Sequence, residues 1–193
     1  MGERTVDLLS RIYDRDPETG NFIIKLSIGE YAEIFNELDP SPMRKRDLAS
    51  HVVAFLDDCS SDVPLKYGFD IQILAPREIM NEGREHRTMN GLKTYFSYMI
   101  FLYRKDLKVL GQKALVYFAT SILFLFCSLY LSSVFPAGIF FKTIVEGLSI
   151  GGWVFLWEAI VLAFFKSRKI RIRRRRYRRL LGATITFIYQ TIG

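Results

Sequence analysis

The sequence predicts an α+β fold class: a small cytoplasmic α/β domain of about three strands plus helices, into which a two-helix transmembrane hairpin is inserted. Three observations lead there. Two apolar stretches of 22 residues, 114–135 and 144–165, would each extend roughly 33 Å as helix at ~1.5 Å per residue, enough for a hydrocarbon core of ~30 Å. Short segments near both ends alternate apolar and polar residues with the period of a strand. Lysine and arginine crowd the outer flanks of the apolar stretches and leave only Lys142 between them.

Residues 1–103 form the expected domain. Its first residues show no apolar run behind a basic flank, as a secretory signal would, and Val6 stands where N-myristoylation asks for Ser or Thr. In 21–28 (NFIIKLSI), Phe22, Ile24, Leu26 and Ile28 alternate with Ile23, Lys25 and Ser27, predicting a half-buried strand. A short helix is expected over 30–36. The run LDPSPMRKRDL then gathers turn formers before Leu48, Val52, Phe55, Leu56 and Cys59, spaced for one face of a helix capped by Asp47 and ending near Ser61. Phe69, Ile71 and Ile73 predict a second strand, closed at Ala75 and Pro76. From Arg77 onward Ile79, His86, Met89, Leu92, Phe96, Met99, Ile100 and Tyr103 recur at three and four residues, predicting a long helix that runs toward, or continuously into, the first apolar stretch.

The remaining boundaries follow from charge. A basic juxtamembrane segment (104–113) precedes the first span (114–135), a short external loop (136–143) joins it to the second (144–165), and a basic collar (166–182) follows. The tail, 183–193, alternates again and is expected as a third strand packing on the N-terminal domain, because a lone strand is marginal in water. Basic flanks on the outer ends of a hairpin place both termini in the cytoplasm and make the protein multi-pass. The net charge of +7 conceals an asymmetry: residues 166–179 hold ten cations and no acid, while residues 1–103 hold 12 basic and 17 acidic groups. Cys59 and Cys127 read as two free, apolar thiols.

Several short motifs carry a resemblance. Leu38-Asp39-Pro40-Ser41-Pro42 with Arg46-Asp47-Leu48, then Tyr95-Phe96-Ser97-Tyr98, then Ile150-Gly151-Gly152-Trp153-Val154 with Trp157, resemble a bacterial family with an N-terminal cytoplasmic domain and a two-span hairpin, for which no activity is established. The resemblance covers about residues 31–179 and implies a protein of the bacterial inner (plasma) membrane. The chain departs from the family's pattern after Trp157, where Ala159 and the basic run replace a proline and further tryptophans.

Within the spans, Glu158 is the sharpest feature, since a carboxyl roughly 12 Å inside the boundary is costly. At ~100° per residue, Gly147, Gly151 and Glu158 share one stripe, and Ser121, Ser128 and Ser132 share another. One antiparallel register aligns Ser121 with Glu158, Ser128 with Gly151 and Ser132 with Gly147, the small-residue packing that associates helices in lipid. Glu158 then reads either as a structural group bonded to Ser121 or as part of an ion pathway or subunit contact. The collar cations, Lys166, Arg168, Lys169, Arg171, Arg173, Arg174, Arg175, Arg176, Arg178 and Arg179, point to anionic lipid, at ~1 kcal/mol each near the leaflet. Nucleic acid is disfavoured, because Tyr177 is the one aromatic in the run. Arg44, Lys45 and Arg46 read either as an anion or partner loop or as a plain turn into a helix. With two histidines and no CxxC, HExxH, P-loop or GxGxxG, no catalytic residue, metal or cofactor is expected. The expected function is a membrane-anchored sensor, adaptor or interaction protein, working with anionic lipids and a protein partner or further copies of itself; an oligomeric pore or transport accessory subunit using Glu158 is the alternative.

Overall fold

A computed structural model describes residues 2–42, 46–134 and 138–190, the first five of these as backbone alone. Along the chain run α1 (Gly2–Ile12), β1 (Phe22–Ser27), a 3-10 turn (Tyr31–Ile34), α2 (Ser50–Asp62), β2 (Phe69–Pro76), a second 3-10 turn (Arg77–Ile79), α3 (Glu82–Val134), α4 (Ile139–Ile160), a π-helical segment (Val161–Lys166), α5 (Ser167–Gly182) and β3 (Ile185–Gln190).

This order corrects the expected fold class. Helix dominates: α3 has 53 residues, α4 has 22 and α5 has 16, whereas the strands hold six, eight and six. The protein is a helix-rich body carrying a small three-stranded parallel sheet, not an α/β domain with a hairpin set into it. The cause is local. No proline falls between Pro76 and Pro136 or after Pro136, so once a turn has formed each further residue adds a hydrogen bond, and helix propagates through the basic flanks as readily as through the apolar stretches. The basic juxtamembrane segment 104–113 and the collar 166–182 are therefore helical, and α3 runs unbroken into the first apolar stretch.

Two compact units result: Met1–Phe101 with Arg174–Gly193, and Leu102–Arg173. In the first, the strand order is β1-β2-β3 and both pairings are parallel. Parallel neighbours need crossovers. The β1–β2 crossover contains α2, and everything from α3 to α5 lies between β2 and β3. Ile71 sits between Ile24 and Ile185, and Ile73 between Leu26 and Phe187, so one face of the sheet is apolar across all three strands. Against it are buried Tyr31, Ile34, Phe35, Val52, Leu56, Leu92, Phe96 and Leu180. The ring of Tyr31 packs 5.7 Å from that of Phe187, and Phe96 lies 6.3 Å from Tyr177 of α5.

Two local expectations also change. The segment 30–36 forms a 3-10 turn, in which the Glu33 carboxylate accepts the backbone N–H groups of Gly29 and Glu30. Asp47 does not cap α2, which starts at Ser50 after Ala49 with no side-chain cap. Residues 47 and 48 are already engaged, since Leu48 bridges Phe35 and the Asp47 N–H bonds the Asp39 carboxylate at 2.9 Å.

The second unit holds two helical stretches long and apolar enough to cross a membrane. In each, only 17% of the most apolar window is buried within the chain. A core helix of a water-soluble protein would hide most of that surface.

Candidate functional site

The helix contact in the second unit is built from small residues. Ala114, Ser121 and Ser128, seven apart on α3, are buried, as are Gly152 and Ala159, also seven apart on α4. Ser128 Oγ donates to the Val145 carbonyl at 2.9 Å across the contact. A Cβ on Gly152 would lie 2.7 Å from Leu125 Cγ and 3.2 Å from the Leu125 backbone nitrogen, so the backbones approach as closely as a glycine permits.

The expected register is corrected by this contact. Gly147 has nothing within 4 Å of a Cβ built on it, and Ser132 is exposed. Gly151 faces the Phe124 ring at 3.2 Å, and Ser128 bonds Val145 instead of packing on Gly151. The buried stripe on α4 lies one residue round from the expected one. Spacing along one helix leaves that choice open, and the bulk of Phe124 and Leu125 on the facing helix settles it.

Glu158 also finds another partner. Ser121 Oγ is buried with no hydrogen-bond partner among the described residues, while Glu158 Oε1 accepts from Lys166 Nζ at 3.1 Å. On a regular α-helix, residues eight apart stand about 80° from one another. The intervening π segment, Val161–Lys166, inserts about one extra residue into a turn and winds Lys166 back by about 100°, so the two side chains align. Such a segment also upsets the backbone ladder. The Ala163 carbonyl accepts from Ser167 Oγ and, at 3.2 Å, from Arg171 Nη2, and Arg171 also donates to Ser167 Oγ.

The ten cations of the collar divide. Arg168, Lys169, Arg171, Arg173, Arg175 and Arg178 are exposed, and Arg176 is half-exposed. Ser167, Tyr177 and Leu180 of α5 are buried. Lys166 is committed to Glu158, and Arg174 has its Nε buried. Arg179 is engaged within the chain: its Nη1 donates to the Val63 carbonyl at 3.0 Å and its guanidinium stacks 4.6 Å over Phe69, so it is a packing residue of the first unit. Burial, then the neighbouring Arg176, lowers its pKa.

Arg44 and Lys45 lie outside the described residues. Arg46 donates from Nε to the Ser41 carbonyl at 3.0 Å and joins Asp39, Asp47, Thr94, Tyr95 and Tyr98 in lining a cavity of about 370 Å³. Asp39 organises this loop: the Asp47 and Ser41 N–H groups hold its carboxyl below the usual carboxylate range. Two aspartates beside one described arginine weaken the anion reading of the loop. A second hollow, about 260 Å³, lies at the carboxyl ends of the strands, lined by Ser27, Ile28, Gly29, Leu74, Ala75, Pro76 and Gln190. Beside the same strand ends is a polar network that the sequence pattern gives no sign of. Tyr31 and Tyr189 hydroxyls meet at 2.6 Å, Tyr189 donates to Glu85 Oε1, and the Asn81 N–H reaches Tyr31 Oη at 3.3 Å. Burial, then the Glu85 hydrogen bond, pushes the Tyr189 pKa above its ordinary value.

Cys59 and Cys127 are free, and burial raises the Cys59 thiol. Among the described residues no group of three or more His, Cys, Asp or Glu is set to hold a metal. No family model, curated protein or solved structure matches the chain.

Proposed function

We propose that the protein is a two-helix anchor of the bacterial inner membrane that presents its sheet-bearing unit to the cytoplasm as a binding module, with anionic lipids held by the exposed cations of α5. The observation that carries this reading is the pairing of outward-facing apolar helices with basic outer flanks and a single cation, Lys142, between them. The exposed cations Arg168, Lys169, Arg173 and Arg175 extend from the end of the second apolar stretch, where headgroup phosphates would lie. The bacterial assignment rests on the resemblance of the LDPSP, YFSY and IGGWV segments. The Glu158–Lys166 pair favours a structural role for Glu158 over a conducting one, because a carboxylate already matched by a cation is not free to line a shared axis.

Single cysteines introduced at Gly138 and at Ser10, in a background lacking Cys59 and Cys127, test the topology with an impermeant thiol reagent. Gly138→Cys should label in intact cells, and Ser10→Cys only after the membrane is opened. The inverse pattern, or release of the chain by alkaline wash, would overturn the reading. Glutamine at Arg168, Lys169, Arg173 and Arg175 should produce a fraction of inverted chains.

A further inference from the structure

The two edges of the sheet are treated differently. Along β1 the chain folds back: Ile23 N–H bonds the Asp14 carbonyl at 2.8 Å, Asp16 N–H bonds the Asn21 carbonyl at 2.9 Å, Arg15 bridges Phe22, and Lys25 pairs with Asp14. These are the covers and charges that keep an edge strand from recruiting another chain. Along β3 the described residues show none. Residues 183–190, ATITFIYQ, contain no charge, proline or glycine, and the pairing with β2 runs from Ile185 to Gln190 without a bulge.

The register shows which backbone groups are left over. Ile71 is opposite Ile185 and its N–H bonds the Thr184 carbonyl, so the parallel ladder uses the inward groups of Thr184, Thr186, Ile188 and Gln190. The N–H and C=O of Ile185, Phe187 and Tyr189 therefore point away from the sheet. No hydrogen bond among the described residues reaches them.

We propose that β3 of one copy pairs antiparallel with β3 of a second copy, joining two three-stranded sheets into one across a two-fold axis at Phe187. This register places Phe187 opposite Phe187 and Ile185 opposite Tyr189, so each outward-pointing residue exchanges both of its backbone bonds with a partner. It sets Thr186 beside Ile188 on the other face. Because the strand is uncharged, self-pairing opposes no like charges, whereas a strand bearing lysines along its edge would repel its twin. A six-residue edge is small beside the ~800 Å² per partner of a stable interface. Confinement of both copies to one membrane in one orientation supplies the missing effective concentration. The proposal rests in this respect on the membrane-anchored reading.

The test uses the full chain in isolated membranes, with Cys59 and Cys127 replaced by alanine and Thr186→Cys treated with a short bis-maleimide, since the two Thr186 side chains would lie diagonally, about 7–8 Å apart. A covalent dimer is expected, and Lys25→Cys on the covered edge should give at least tenfold less. Adding Phe187→Pro, which removes an outward N–H and leaves the bonds to β2 intact, should abolish the dimer, while Phe187→Ala should retain it. Equal yields at Thr186 and Lys25, full yield with Phe187→Pro, or no dimer from inserted protein would overturn the proposal. Should Phe187→Pro melt well below Phe187→Ala, the contrast between Thr186 and Lys25 decides. Alkaline extraction of the same membranes reads the anchor separately, and a chain that washes off but still cross-links at Thr186 would sink the membrane reading alone.

Discussion

The two units bury opposite kinds of residue. In the sheet-bearing unit the fully buried side chains are the largest available, among them Tyr31, Phe22, Phe35 and Phe96. In the second unit the buried residues are mostly small, Ala114, Ser121, Ser128, Gly152, Ala159 and Ser167, with Leu162 the one large exception, while Leu129 and Phe164 are 72% and 67% exposed. The difference is the one expected of a unit packed in water beside, as proposed above, one packed in hydrocarbon. Against water, apolar area is worth about 25 cal/mol per Å², so large side chains turn inward. Against hydrocarbon that term vanishes, close approach of backbones takes over, and the small residues turn inward instead.

Substitutions sharpen the contrast, and Phe96→Ala should have the largest effect. It empties a fully buried position in the sheet-bearing unit and should cost about 3–5 kcal/mol of stability in unfolding measured in mild detergent. A cost below ~1 kcal/mol would mean that the first unit is not held by its core. Gly152→Leu comes next, because its side chain must displace Leu125 and the α3 backbone; separation of the helices, at about 1–3 kcal/mol, should appear as faster proteolysis within the second unit. Tyr189→Phe removes hydrogen bonds to Glu85 and Tyr31 at about 1 kcal/mol. It also changes the alkaline limb. A tyrosine whose folded pKa is raised above its unfolded value of about 10 lends stability that is present below about pH 10 and lost as pH climbs toward the folded value. The variant should therefore lose less stability between about pH 8 and about pH 11, the remaining loss coming from Tyr13 and the Cys59 thiol, which burial shifts the same way. Gly147→Leu should be the smallest perturbation, with unchanged unfolding, since open space surrounds that position.

Periodicity made much of the local structure legible. The alternation of Phe22, Ile24 and Leu26 and of Phe69, Ile71 and Ile73 marks two strands of the structure, and the alternation at Ile185, Phe187 and Tyr189 marks the third. It did not reveal how far helix would dominate, because charged runs such as 166–179 carry no apolar period to mark helix yet propagate it well. The true packing stripe was also present as a pattern, in the seven-residue spacing of Ala114, Ser121 and Ser128 and of Gly152 and Ala159. Glycine at 147 and 151 competes with that pattern when one helix is read alone. The tyrosine network had no such signal, since Tyr31 and Tyr189 are separated by 158 positions and meet only through the fold.

The sequence by itself determined the two apolar helices, the basic flanks and the strand periods, because hydrophobicity and helix or strand propensity act over a few neighbouring residues. Only the tertiary structure decided that Glu158 belongs to Lys166, that Arg179 is a packing residue, and that β3 is left with an open edge. Each of these depends on one extra residue in a turn or on which segment arrives alongside. Such facts live in three-dimensional register, which side-chain spacing along a single element does not encode.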